Sequence, residues 1–456
     1  MTGIRSNDRL SEVMAESGLS NKALARAVRE ASARDGHLAS CDHTAVSRWL
    51  AGTGPRDRTA RYVAQVLGSR LGRSVAPADL GFATAEPRTD NLGTEYAEHV
   101  DQAATALARL WQADVDDARR LVGAPTVASA WSEASLNWLV RTGPDLVVTR
   151  PAGVRVGVGD IERLRATVDA FAAMDNRFGG GHARSALVRY LSSEAPSLLA
   201  GRYNERTGRR LHGSVAQATL LAAWMTYDAG SHGLAQRYFI QALRLAHAAD
   251  DVRLAGGILD AMSHQATFLH RPREAANLAR AARQGTVGRA TPTLTAHFHA
   301  MEARAYAAGG DAVSADRSLS QAVRVFERRQ QGDDPDWFTY FDDAELAAEF
   351  SHCFRDTGRY ADAITYAERG MTSSPRSDFF VTMVLATCHL QSGDMEQGCE
   401  LARRALELGA GLRSARCAEY VRVFRRELAG HAGSATAGRL HAHAADHPLW
   451  LAAMHI

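Results

Sequence analysis

At 456 residues, with 46% hydrophobic and 23% charged residues and a formal net charge of +2, the chain is long enough for two or three domains with buried cores. No apolar run approaches the roughly eighteen residues that span a bilayer, and the N-terminus lacks the apolar core of a signal peptide, so the reading is a cytoplasmic protein with no membrane partner. Cys41, Cys353, Cys388, Cys399 and Cys417 are odd in number and form no Cys-x-x-Cys pair, which suits reduced thiols and not a disulfide or zinc framework.

Few aromatics and only twelve prolines in an alanine- and leucine-rich chain point to an all-α protein. Residues 1–82 carry a net charge of +4 and the remainder −2, so the basic surplus sits at the N-terminus. There, Asn7 or Asp8 caps a first helix with Leu10, Val13 and Met14 on one face, ended by Gly18. Ser20 caps a second helix with Leu24, Ala25 and Val28 inward and Lys22, Arg26 and Arg29 outward. After a connection from Arg34 to Cys41, Asp42 caps a short helix with two unlike faces. His43, Thr44, Ser47 and Arg48 share one side; Ala45, Val46, Trp49 and Leu50 share the other. Small hydrogen-bonding side chains with one arginine suit the floor of a DNA major groove, where Arg48 addresses guanine or phosphate and Thr44, Ser47 and His43 meet base edges or backbone. Arg56 and Arg58, ahead of a fourth helix over 59–70, stand where a phosphate clamp is wanted, as do Lys22 and Arg26.

The A-L-A-R of the second helix and T-A-V-S-R-W-L-A-G of the third, with a proline soon after, resemble the Xre-type (lambda-repressor-like) helix-turn-helix family, and the likeness covers about the first eighty residues. It implies that the third helix enters the groove.

Residues 83–91, A-T-A-E-P-R-T-D-N, read as a polar linker, and a helical region is expected over 92–210. It contains helical patterns from Glu95 to Leu121 and Ala128 to Val140, then a valine- and glycine-rich stretch around Val154 that is an ordered loop or a small hairpin. Asp160 is expected to cap a helix to about Met174. The segment Asp175 to Arg184, D-N-R-F-G-G-G-H-A-R, places three glycines between two helices. Its amides suit an anion, with Asp175 and His182 among the polar groups around it, but it lacks the ending of a nucleotide-binding P-loop. It is either a tight turn braced by an Asp–Arg pair or a ligand or interdomain contact.

From Leu211 the chain repeats itself. Small or turn residues recur around Ala235, Ala275, Ala315, Ala363 and Gly398, at intervals of 40, 40, 48 and 35 residues. This is similar to the tetratricopeptide repeat, and the resemblance over Leu211 to Leu408 implies a right-handed solenoid with a concave channel, within a domain spanning 211–456 that ends in a cap. Carrying the pattern across puts Gln217, Trp224, Tyr227, Asp228, Asp260, His264, Thr267, His297, Arg304, Glu345, His352 and Arg355 toward the channel. From these, the expected ligand set is Trp224, Tyr227, Asp228, His264, Arg304 and His352, with Asp175 and His182 closing one end. The mixture of aromatics and both charge signs suits a peptide or small polar molecule. His441, His443 and His447 lack acidic or cysteine partners at metal-binding spacing, and the apolar tail from Leu449 to Met454 is expected to pack on the solenoid or on a second subunit.

The two-part layout resembles peptide-responsive regulators of Gram-positive bacteria, and more closely actinomycete regulators of development and antibiotic production. That resemblance implies sequence-specific transcription control on double-stranded DNA at the nucleoid, as a homodimer whose repeats sense an effector. The competing reading is a non-catalytic scaffold binding a partner protein. No nucleophile with a base, paired-carboxylate motif or metal cluster is apparent, so neither an enzyme nor a cofactor or metal is expected.

Overall fold

The computed structural model describes residues 6–34, 40–55, 57–71, 75, 77–82, 91–116, 121–140, 153–372, 374–431 and 433–454. The fold is all-helical, with twenty-one α-helices and no strand among the described residues. None of the described helices is long and apolar enough to cross a membrane. Contacts divide the chain into two compact units, 1–91 and 92–456. The helices ahead of residue 211 therefore share a body with the repeats. The expected linker lies outside the described residues except for Asn91.

The first unit holds α1 (Asp8–Ser17), α2 (Asn21–Arg34), α3 (His43–Leu50), α4 (Asp57–Leu71) and a 3-10 turn (Pro77–Leu80). Asn7 organises its start. The side-chain oxygen caps α1 by accepting from the Leu10 amide at 3.1 Å, and the side-chain nitrogen donates to the Leu80 carbonyl at 2.8 Å. Leu10, Leu24, Val28, Val46, Trp49, Val63, Leu67 and Leu80 form one core, and Phe82 meets Trp49 edge-on with centroids 6.0 Å apart. Cys41 is buried within this core, as the other four cysteines are in the second unit.

The second unit begins with α5 (Val100–Asp116) and α6 (Ala128–Val140). The helix expected from Glu95 starts only at Val100, because the carbonyls of Gly93, Glu95, Ala97 and Glu98 are taken by the buried Gln241 and Arg244 side chains. Next come α7 (Val158–Phe178) and α8 (Gly180–Leu199). Gly157, not Asp160, is the N-cap of α7. Asp160 sits three residues inside and its carboxylate accepts from the Gly157 amide at 2.8 Å, as in a capping box. Ahead of α7, Val154 and Val156 bond across to Arg202 in a single bridge. The valine-rich stretch before residue 153 lies outside the described residues.

Five helix hairpins follow: α9 (Glu205–Asp228) with α10 (His232–Ala248), α11 (Val252–Phe268) with α12 (Pro272–Gly285), α13 (Pro292–Ala308) with α14 (Ala312–Phe326), α15 (Asp343–Asp356) with α16 (Tyr360–Arg369), and α17 (Pro375–Gln391) with α18 (Met395–Gly409). Each first helix also packs on the first helix of the next hairpin. The small recurring residues Ala235, Ala275, Ala315, Ala363 and Ala402 are all buried on the second helices. Gly398 shows why size matters there: a Cβ would fall 3.0 Å from the Ala386 carbonyl oxygen. The chain ends with α19 (Ala415–Leu428), α20 (Ala435–Ala444) and α21 (Pro448–Ala452). Leu449 and Trp450 are buried against the last hairpin, while Leu451 and Met454 are exposed.

The turns between these helices use a left-handed residue. Glycine supplies it at Gly230, Gly310, Gly358 and Gly393, but Asp250 and His270 adopt it with φ of 58° and 56°. An L-residue there costs about 1–2 kcal/mol, part of which glycine returns through its freer unfolded chain. Because the His270 side chain is exposed, His270→Gly is expected to raise stability by up to about 1 kcal/mol in urea denaturation. A loss would mean that the imidazole itself contributes a contact.

Candidate functional site

In the first unit the apolar side of α3 is anchored and the polar side is free. Ala45, Val46 and Trp49 are buried; His43, Thr44, Ser47 and Arg48 are exposed. Asp42 caps the helix by accepting from the Ala45 amide and the Thr44 hydroxyl, both at 2.7 Å. The Thr44 hydroxyl first, then the Ala45 amide, hold its carboxyl below the usual value. Ser47 is fixed from two sides. Its hydroxyl donates to the His43 carbonyl at 3.0 Å and accepts from the Asn21 side-chain amide at 3.1 Å. Asn21, at the start of α2, thus joins the face at a position that the sequence did not single out, because only the packing of α2 across α3 brings it there. Arg48 has no ion-pair partner among the described residues. Lys22 and Arg26 are exposed on α2, with Glu30 3.7 Å from Arg26. Arg56 and the side chain of Arg58 lie outside the described residues.

In the second unit, the first helices of the hairpins bring together most of the residues expected to line a channel. The Tyr227 hydroxyl lies 3.1 Å from His264 Nδ1, and the rings of Trp224, Tyr227 and His264 pack at 5.5–5.7 Å. The Arg416 guanidinium lies over the rings of Tyr227 and Phe380 at 4.9 and 5.0 Å. Arg304 pairs with Glu349 at 2.7 Å, and His352 meets Tyr420 edge-on at 5.8 Å. Burial, then the Arg304 cation, push both His264 and His352 well below the ordinary imidazole value, so both are neutral near pH 7. Trp224 and His264 are partly exposed; Tyr227, Arg304 and His352 are buried. A second group, between the first helices of the second, third and fourth hairpins, joins Asp260 to His297 at 2.7 Å, with Tyr340, Phe338, Phe341 and Glu345 around them.

Asp175 and Asp228 occupy a different setting, a buried charge network. Asp228 Oδ1 accepts from the Ser414 hydroxyl at 2.9 Å and Arg416 Nε at 2.8 Å; its Oδ2 accepts from the Gly180 amide at 2.8 Å. Arg376 bridges Asp228 at 3.2 Å and Asp175 at 2.8 Å. The glycine-rich turn therefore does receive an anion at its amide, and the anion is a carboxylate of the same chain. The brace is also an Asp–Arg pair, but its arginine comes from α17, since Arg184 is engaged by Asp114 at 2.6 Å. The turn must be glycine for steric reasons: a Cβ at Gly180 would lie 2.6 Å from the Met225 carbonyl oxygen, and one at Gly181 2.8 Å from that of Arg413. His182 is exposed, and its ring packs on that of Phe178 with centroids 4.8 Å apart. No metal-holding group of histidine, cysteine and acidic residues occurs among the described residues.

A family model described as the SP15 N-terminal domain matches residues 10–83. That match covers the first unit alone. A comparison with curated proteins finds no match for the chain.

Burial alone would raise the Asp228 carboxyl, yet Arg416 and Arg376, with the Gly180 amide, outweigh it and bring it down to about 2. A carboxylate with a depressed folded pKa contributes stability that is present above its unfolded value near 3.8 and is lost as pH falls toward 2. Asp228→Asn is accordingly expected to cost about 3–5 kcal/mol at pH 6, because it leaves buried arginine charge uncompensated. The deficit relative to wild type should shrink between pH 4 and pH 2 in denaturant titrations. An unchanged deficit over that range would mean that Asp228 acts through shape and not charge.

Proposed function

We propose that this chain is a sequence-specific regulator of transcription that binds double-stranded DNA through α3, acting in the cytoplasm at the nucleoid. The observation carrying this reading is the two-faced α3. Its tryptophan side is locked in a core, and its other side offers hydroxyls, one imidazole and an arginine without an ion-pair partner among the described residues. That face fits a major groove, whereas a helix serving only as packing has no need of it. The order of α2 and α3 follows helix-turn-helix logic of the Xre type, with a connection longer than usual. In this reading Arg48, Thr44, Ser47 and His43 address bases, while Lys22, Arg26, Arg56 and Arg58 address phosphates.

The second unit serves, in the same proposal, as a tetratricopeptide-like right-handed solenoid that pairs two chains and senses an effector. Stacked hairpins with buried small residues on their second helices support it. Trp224, His264, Arg304 and His352 are the inner-face contacts assigned to the effector. Tyr227, Asp228 and Asp175 hold the wall, and His182 stands at its edge.

Sequencing the genomic fragments retained by the purified protein tests DNA recognition. On the site so found, Arg48→Ala should lose about 1–3 kcal/mol and relax preference at one position, and Lys22→Ala should weaken all sequences alike. Affinity should fall steeply with salt yet survive competitor DNA. A scaffold that binds protein would show neither. Equal loss from Arg48→Ala on random DNA would make it a phosphate contact.

Pairing has its own test. One module of this size reads only a few base pairs, and two-fold pairing is how such modules reach useful specificity. Light scattering on the full chain at micromolar concentration is expected to give a dimer; a monomer overturns that part of the proposal.

A further inference from the structure

A cavity of about 370 Å³ lies where the second and third hairpins meet. Arg283 of α12 lines it from one side, Arg317, Ser318 and Gln321 of α14 from another, and His299, Glu302 and Tyr306 of α13 complete the lining. None of these residues belongs to the groups around Tyr227, His297 or Asp228.

Hydrogen-bond donors are left unspent in this cavity. Ser318 is 7% exposed, yet its hydroxyl makes no hydrogen bond among the described residues. Ser320, two positions on, shows the usual alternative, donating to the Asp316 carbonyl four residues back at 2.8 Å. Because Ser318 lines the cavity, its hydroxyl is open to an occupant. The side chains of Arg283, Arg317 and Gln321 make no hydrogen bond among the described residues either. The charges have the matching sign. Glu302 is 5% exposed and accepts from the Tyr306 hydroxyl at 3.2 Å. Arg283 Nη2 stands 3.5 Å from it and Arg280 Nε 3.8 Å, ion pairs too long for good hydrogen bonds. Arg317 has no ion-pair partner among the described residues, and the nearby Asp311, which feels its charge, is engaged as the cap of α14. Burial, then the Arg283 cation, take His299 down to about 4, so its ring adds no charge near pH 7. Arg280, Arg283 and Arg317 thus outnumber Glu302 and Asp311 by one positive charge. Guanidinium forks, a hydroxyl and a side-chain amide around one unanswered positive charge are what a carboxylate requires. The volume leaves room for an organic body behind that head group.

We propose that Arg283, Arg317, Ser318 and Gln321 form a binding site for the carboxylate head of a small organic acid. The site lies apart from the DNA-binding face and from the residues assigned to the effector, so its failure leaves both of those readings standing. Binding is measured on the full chain without DNA.

The probes are benzoate and its neutral counterpart of the same shape, benzamide, followed by isothermal calorimetry. One saturable site for benzoate in the micromolar to low millimolar range, and none for benzamide, is expected. Arg317→Gln should weaken benzoate tenfold or more and Ser318→Ala severalfold. Arg404→Gln, which removes the same charge from an exposed position on α18, should leave affinity unchanged. Arg317 is exposed, so circular dichroism of Arg317→Gln should match wild type even if Arg283→Gln fails to fold. The peptide acetyl-Ala-Ala-Ala separates two sources of the same head group: weaker binding than benzoate assigns the site to a free organic acid, tighter binding to the C-terminus of a peptide. Equal binding of benzoate and benzamide, no saturable binding at millimolar concentration, tighter binding of phenyl phosphate than of benzoate, or full affinity in folded Arg317→Gln overturns the proposal.

Discussion

The second unit depends on one carboxylate. Asp228 closes α9, and its partners arrive from the start of α8, the start of α17, and the segment entering α19. Burying an ionised carboxylate costs several kcal/mol unless hydrogen bonds answer both oxygens. Here they do, through a backbone amide, a hydroxyl and two guanidinium groups, and the side chain is fully buried. The backbone adds its own ties across the same junction: Gly181 donates to the Arg413 carbonyl at 2.9 Å, and Arg413 donates to that of Phe178 at 2.8 Å. Helices separated by some two hundred residues are thereby held together, and the stacked hairpins between them form an arc with joined ends.

The hairpins themselves are held by a plainer constraint. Ala242, Ala279, Ala282, Ala322, Ala363, Ala367 and Ala405 have no exposed surface at all, and side chains of that size let neighbouring helices approach closely. Large apolar side chains such as Phe239, Leu243 and Phe298 fill the space between them, and large polar ones are admitted where most of the polar tip finds a partner. The fully buried Arg237 and Arg244, for example, direct their guanidinium groups at carbonyls of Gly233, Pro125, Ala97 and Glu98. Those bonds attach the stretch preceding α5 and the loop before α6 to α10, which is why the helices ahead of residue 211 share a body with the repeats. Nothing in the local pattern of either segment announces this, because both partners are backbone carbonyls about 110 to 150 positions away.

That difference in range governs how much was legible in the sequence. The two faces of α3, the caps at Asn7 and Asp42, and the small residues of the hairpins follow from spacings of three or four residues, and all lie where the periodicity puts them. The sequence pattern starts α5 at Glu95, five residues before its actual start at Val100, because long-range bonds to carbonyls override local helix propensity. Asp160 has the composition of a cap but is the reciprocal partner of one, a distinction of three residues that composition alone does not make. For the glycine turn the sequence leaves two readings open, a tight turn braced by an Asp–Arg pair or a ligand or interdomain contact, and that its amide meets the Asp228 carboxylate follows only from α9 ending opposite it. Tyr340 lies in the stretch between the third and fourth hairpins, where no repeat pattern places a side chain beside His297. Asp260 and Glu345 were placed toward the channel as separate positions; only the stacking of α11, α13 and α15 makes them one group.

Joined ends also change how a bound effector makes itself felt. In an open superhelix, filling the channel alters pitch, since each repeat touches only its neighbours and small rotations add up. In an arc closed through Asp228, such rotations must sum to nothing or break the closure, so a change of pitch is opposed by the whole charge network. A ligand then acts by its differential affinity for the closed arrangement, and a tenfold change in any coupled equilibrium requires about 1.4 kcal/mol of difference. The inner face has two places where that difference can arise. Near Tyr227, Arg416 both joins the Asp228 network and covers the aromatic cluster, so contact there is transmitted directly to the closure. Near His297, the carboxylates of Asp260, Glu345 and Glu349 lie on α11 and α15, which ties the second hairpin to the fourth through His297 and Arg304 of the third. Under the proposed sensing role, a ligand at the first of these groups is the one that would read whether the arc is shut.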